Sequence, residues 1–126
     1  LKITLPLLGI VQAGYPLEAI NNKEYIEVPA NYMGNKNFVL KVRGDSMIDE
    51  HIQEDDYIIV KETNTAQNGD LVIAYINDDA TLKKFYKKKN HIELHPANAE
   101  FDIIKVNIKD NFRIGGKVLC VIRNYK

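Results

Sequence analysis

Short runs of apolar and β-branched residues, separated by turn-forming residues, mark out most of this chain. They fall at 38–42, 57–61, 71–76, 80–86, 91–95, 103–108 and 117–123, lengths that suit strands better than helices. Between them lie Gln67-Asn68-Gly69-Asp70, Asn77-Asp78-Asp79, Lys88-Lys89-Asn90, Pro96-Ala97-Asn98 and Gly115-Gly116, all residue types that turn a chain. This spacing predicts antiparallel hairpins. No long amphipathic helix is visible, and one helical turn is expected from Ser46 through Met47, Ile48, Asp49 and Glu50. The prediction is an all-β fold of compact antiparallel sheets. Residues 1–30 differ in character. Pro6, Gly9, Gly14, Pro16 and Pro29 interrupt short apolar pieces there, which reads as an extended arm with loops laid over the sheets.

Composition narrows the class. At 126 residues the chain is sized for one domain with its own core. It is 45% apolar and 27% charged, the balance of an ordinary soluble globular protein. Seventeen basic residues offset seventeen acidic ones, whereas a DNA-binding surface carries a basic excess. The lone Cys120 excludes an internal disulfide and a multi-cysteine metal site. Its run, Val118-Leu119-Cys120-Val121-Ile122, predicts a buried thiol acting as a small hydrophobe. No metal or cofactor is expected. No apolar run reaches the length of about 18 residues needed to span a membrane, and the opening residues lack the features of a signal peptide. The chain starts at Leu1 and not at methionine, so a fragment or a processed form is expected.

Three segments carry candidate chemistry. Ser46 lies in Gly44-Asp45-Ser46-Met47, and Ser46 to Asp49 is a capping pattern in which the hydroxyl would cap the helical turn. The same tight turn would also project the serine outward, with backbone N–H groups facing a developing oxyanion. A serine hydroxyl needs a base. His51, His91 and His95 carry no flanking pattern of a Ser-His-Asp triad, but a lysine can serve where burial favours its neutral form. Lys83 is the candidate. On a strand, Thr81, Lys83 and Phe85 share one face while Ala80, Leu82, Lys84 and Tyr86 share the other. Lys84 and Lys87-Lys88-Lys89 read as solvated surface. Taken alone, Lys83 also reads as a surface lysine on a half-exposed strand. The third segment is Val11-Gln12-Ala13-Gly14, whose small residues let backbone enter a narrow cleft while Val11 anchors in an apolar pocket. By itself it reads as an ordinary turn.

Together these pieces resemble the C-terminal domain of LexA-type repressors, in the self-cleaving serine-lysine family that includes UmuD and phage repressors. The matching stretches are Leu5-Pro6-Leu7-Leu8-Gly9, Val11-Gln12-Ala13-Gly14 with Pro16, and Val42-Arg43-Gly44-Asp45-Ser46-Met47. Asn68-Gly69-Asp70, Thr81-Leu82-Lys83-Lys84, Glu93-Leu94-His95-Pro96-Ala97-Asn98 and Gly116-Lys117-Val118 through Arg123 follow in the family's order. The resemblance implies Ser46 as nucleophile, Lys83 as general base, an oxyanion hole from the amides of Asp45 and Ser46, and cleavage between Ala13 and Gly14. It also implies a mobile cleavage loop, a cytoplasmic homodimer joined partly by its C-terminal strand, and stimulation by a RecA–ssDNA–nucleotide filament. Operator DNA would be read only by an N-terminal winged helix-turn-helix, absent from this sequence. Two alternatives are a UmuD-like accessory subunit of an error-prone polymerase and a catalytically silent dimerisation module of a phage-type regulator. Ala13 where a cysteine would precede the glycine favours the repressor, and the presence of both Ser46 and Lys83 argues against the silent module.

Overall fold

Nine strands form where β-branched and aromatic residues recur, and turn residues separate most of them. In the computed structural model, residues 1–107 and 109–125 are described. The strands are β1 (Lys2–Val11), β2 (Glu18–Pro29), β3 (Asn37–Val42), β4 (Tyr57–Glu62) and β5 (Leu71–Ile76). They continue with β6 (Asp79–Lys87), β7 (Ile92–His95), β8 (Ile104–Val106) and β9 (Phe112–Ile122). Two short 3-10 turns, Ala30–Tyr32 and Ile48–Glu50, are the helical pieces among the described residues. All nine strands join one sheet in the order β2-β1-β3-β4-β9-β5-β6-β7-β8. The all-β expectation therefore holds, with one difference: β1 and β3 run parallel, so the sheet is mixed.

Lys2–Val11 and Glu18–Pro29 are sheet strands and not an extended arm, with a loop between them. β1 and β2 form an antiparallel ladder from Lys2↔Pro29 to Ile10↔Glu18. Pro6 is tolerated because it precedes the stretch, from Leu7 onward, where β1 also pairs with β3. β2 is an edge strand with mostly exposed side chains, so its polar run Asn21-Asn22-Lys23-Glu24 costs nothing in buried polarity. Gly115-Gly116, expected as a turn, lies inside β9. A Cβ at Gly115 would fall 2.3 Å from the Tyr75 ring, and one at Gly116 would fall 2.3 Å from a Val60 methyl. Glycine there admits close neighbours on β5 and β4, which is its meaning within a strand. The predicted strand at 103–108 is shorter, Ile104–Val106, and Ile108 lies outside the described residues. His91 falls just before β7.

The largest cluster of fully buried side chains includes Val11, Leu40, Met47, Ile58, Ile73 and Leu82. Burying side chains of this size stabilises by roughly 1.5–3 kcal/mol each relative to exposure. Because the cluster draws on β1, β3, β4, β5 and β6, it holds the segments on either side of Ser46 against β6. Cys120 corrects another expectation: it is half-buried and packs beside a smaller cluster built on Leu5, Leu7, Val28, Val39 and Ile59. Alternation explains this, since its neighbours Leu119 and Val121 are exposed. Beyond β9, Arg123 donates to both carboxylate oxygens of buried Asp56, at 2.7 and 2.8 Å, and to the carbonyl of His51 at 2.7 Å. Burial alone would raise the Asp56 pKa, but the Arg123 and Gln53 hydrogen bonds outweigh it and hold the carboxyl below its usual value.

Candidate functional site

The parallel pairing of β1 with β3 sets the register of the site. Val11, at the end of β1, sits beside Val42 and accepts a hydrogen bond from the Arg43 amide at 3.0 Å. The two chains thus leave the sheet side by side, one into Gln12-Ala13-Gly14 and the other into Gly44-Asp45-Ser46. Both line a cleft of about 120 Å³, together with Phe101. Val11 is 1% exposed, so it anchors in the apolar core as its composition suggested.

Gln12 to Tyr15 form a β-turn. The Tyr15 amide donates to Gln12 O at 3.2 Å, and Gly14 has φ +80°. A positive φ at the third position is the mark of a type II turn, where glycine avoids the steric cost that a side chain would bring. No heavy atom outside its chain neighbours lies within 4 Å of the place a Gly14 Cβ would occupy, so the constraint is conformational and not spatial. The Ala13–Gly14 peptide is the central bond of that turn. Past it, Tyr15 forms an antiparallel bridge to Ala80 on β6, with the Ala80 amide donating to Tyr15 O at 2.8 Å.

Ser46 does not cap the helical turn. The 3-10 turn begins after Met47, and no side chain bonds its first amides. The Ser46 hydroxyl instead faces Lys83, whose Nζ donates to Ser46 Oγ at 3.1 Å. Nζ also donates to Thr81 Oγ1 at 2.6 Å and to Leu82 O at 3.2 Å. Lys83 is 2% exposed, and all of these partners are neutral. Removing an ammonium from water without a compensating anion favours the free amine, and burial brings the Lys83 pKa down to about 8. In the neutral state the amine keeps two N–H bonds, which Thr81 and Leu82 O can accept. Its lone pair is then left for the Ser46 proton.

The structure thus joins Ser46 to Lys83 by a hydrogen bond and sets Asp45, Ser46 and Ala13 along one cleft, whereas Gly14 does not line it. Neither the Asp45 nor the Ser46 amide has an acceptor among the described residues. Lys84 reaches the same segment differently, through an ion pair with Glu50. The histidines lie elsewhere. His91 and His95 both share Glu93, at 2.8 and 2.9 Å, and no histidine bonds Ser46 among the described residues. Thr81 was not singled out as part of the site. Its signal was the two-residue spacing to Lys83 on a strand, which puts both side chains on one face. Among the described residues there is no cluster of metal-ligating side chains, and no helix is long and apolar enough to cross a membrane.

Fold and site together define a small all-β domain in which a serine hydroxyl meets a buried lysine and not a histidine. The chain matches the Peptidase S24-like family over residues 6–119 and belongs to that family. It is 46% identical over 123 residues to the LexA repressor of Syntrophotalea carbinolica, covering 97% of this chain and 61% of that protein. It is 42% identical to the LexA repressor of Syntrophobacter fumaroxidans, over 98% of this chain and 60% of that protein. Against the LexA repressor of Clostridium acetobutylicum the identity is 44%, with the same two coverages. The chain therefore spans about three fifths of the length of these relatives.

Proposed function

We propose that this chain is the C-terminal self-cleavage and dimerisation domain of an SOS-response repressor, hydrolysing its own Ala13–Gly14 bond with Ser46 and Lys83. The observation that carries this reading is the 3.1 Å contact between Ser46 Oγ and the Nζ of a lysine buried among neutral partners. In the proposed reaction, neutral Lys83 accepts the Ser46 proton as Oγ attacks the Ala13 carbonyl carbon. The amides of Asp45 and Ser46 receive the negative charge on the carbonyl oxygen. Collapse breaks the C–N bond, and Lys83 returns its proton to the departing Gly14 amine. Water, deprotonated by Lys83, then hydrolyses the Ala13 ester and frees Ser46.

Tethering explains why such a site needs control, because effective molarities in aligned intramolecular reactions reach about 10⁵ M or more. Two features limit it. A Lys83 pKa of about 8 leaves most molecules protonated near neutrality, and the turn must present Ala13 to Oγ. A partner that favours the presented state accelerates cleavage by population shift and donates no catalytic group. We assign that role to the RecA–ssDNA–nucleotide filament, operator binding to a winged helix-turn-helix outside this sequence, homodimerisation to this domain, and a cytoplasmic setting to the whole. The repressor names of the relatives favour this over the polymerase-subunit alternative.

Incubating the purified chain at neutral pH and near pH 10, with intact-mass analysis, tests the reading. Loss of the mass of residues 1–13, faster at high pH and independent of protein concentration, is the expected result. A folded chain that stays intact at both values would overturn the reading of this chain as self-cleaving.

A further inference from the structure

The segment joining β7 to β8 grips the serine segment at three points. The Ala97 amide donates to Ser46 O at 2.9 Å, the Asp49 amide donates to Ala97 O at 2.7 Å, and Asn98 Nδ2 donates to Asp45 O at 2.8 Å. The far end of the Asn98 side chain is occupied too, since Oδ1 accepts the Glu100 amide at 2.9 Å. That second bond fixes which end of the amide meets Asp45.

A peptide unit is planar, and in the trans form its C=O and N–H point in opposite directions. The structure contains no cis peptide among the described residues. Holding the Asp45 carbonyl therefore aims the Ser46 N–H the other way, as one rigid unit. This N–H has no acceptor among the described residues, and Ser46 lines the cleft shared with Ala13. We infer that Asn98 is a positioning residue for the oxyanion hole, orienting the Ser46 amide by its hold on the Asp45 carbonyl. The inference rests on the reading of Ser46 as nucleophile. Asn98 does not act alone, because the Ile48 amide also donates to Asp45 O, at 3.2 Å. Its loss should loosen the amide and not erase it.

The residue type suits two tasks at once. An aspartate at this position would keep the bond to the Glu100 amide but set a carboxylate against a carbonyl. An alanine would keep neither. Asn98→Asp thus preserves the loop-forming half and removes the positioning half. The experiment follows self-cleavage by intact mass from about pH 6 to about pH 10 in wild type, Asn98→Asp, Asn98→Ala and Ser46→Ala, with thermal melting of each. Both Asn98 variants are expected to lose about 10- to 100-fold in the high-pH plateau rate, less than deletion of an oxyanion donor outright. The pH midpoint of Asn98→Ala stays at the wild-type value, and thermal melting shows both variants still folded at the assay temperature. A wild-type plateau in Asn98→Asp would overturn the inference, leaving the Glu100 bond as the whole role of this side chain. A folded wild type that never cleaves would overturn the inference together with the reading beneath it, whereas cleaving wild type and equally fast Asn98 variants would overturn the inference alone.

Discussion

Lys83 and Lys84 are consecutive residues of one strand, yet they meet opposite ends of the same short segment in opposite electrostatic conditions. Lys83 is buried, bonds only neutral oxygens and has its pKa brought down to about 8. The Lys84 side chain keeps 31% of its exposure, pairs with Glu50 and has its pKa raised, chiefly by that hydrogen bond. Identical side chains thus come to favour the neutral amine in one place and the cation in the other. What separates them is the partner and the water, not the residue. The dry contact reaches Ser46, and the wet one fastens the turn that follows it.

The strongest way to break this contrast is to remove the dry contact. Ser46→Ala and Lys83→Met should each abolish cleavage as read by intact mass, while Lys84→Met should still cleave. Next in size is the pH response. Below about pH 8 the rate should rise about tenfold per pH unit, because only the neutral amine acts as base, and then level off. The same midpoint should survive in Lys84→Met.

Linkage gives a second expression of the Lys83 environment. Its folded-state pKa of about 8 lies below the ordinary 10.5 of the unfolded chain. Below about pH 8 both states hold the proton, and the folded state bears a buried charge. Between about 8 and 10.5 the folded state has released its proton while the unfolded state keeps it, so unfolding free energy rises with pH. The gain is on the order of 3 kcal/mol. Urea unfolding of Ser46→Ala across this range should show the rise, and adding Lys83→Met should flatten it.

A smaller effect belongs to the turn. Gly14→Ala meets no clash but places a side chain at φ +80°, a strain of roughly 1–2 kcal/mol. It should slow cleavage about 5- to 30-fold by depopulating the turn, without moving the pH midpoint. Smallest is the wet contact: Glu50→Gln should cost under about 1 kcal/mol in urea unfolding, as exposed ion pairs do. A larger loss, or a displaced pH midpoint, would show that the two lysines are coupled.

The sequence pattern reached some of this and missed the rest for identifiable reasons. β3 to β7 were legible because Val, Ile and Tyr runs there are bounded by turn residues. β1 and β2 were hidden by Pro6, Gly9 and a polar edge-strand run, features tolerated only because of what those strands pair with. Gly115-Gly116 looked like a turn because close packing by Tyr75 and Val60 has no local signature. Alternation along β6 separated Lys83 from Lys84 but could not say which side was dry. Ser46 at its turn was equally ambiguous between cap and nucleophile candidate until Lys83 lay beside it. The grip of Asn98 on Asp45 spans 53 positions, and no local pattern encodes it.

The place of β9 has a further consequence, for timing. Last in chain order among the nine strands, it is fifth in the sheet, between β4 and β5. It is the ladder that joins the β2-β1-β3-β4 group, which flanks Ser46, to the β5-β6-β7-β8 group, which carries Lys83. Among the described residues, the other backbone links between the groups are the Tyr15–Ala80 bridge and the hydrogen bonds that Ala97 makes with Ser46 and Asp49. On the ribosome this ladder between the two groups cannot close until residues 112–122 have emerged. Long-range pairing of this kind forms late. Under the proposed function, the sheet that sets Ser46 opposite Lys83 gains its central strand only after residues 112–122 have been made.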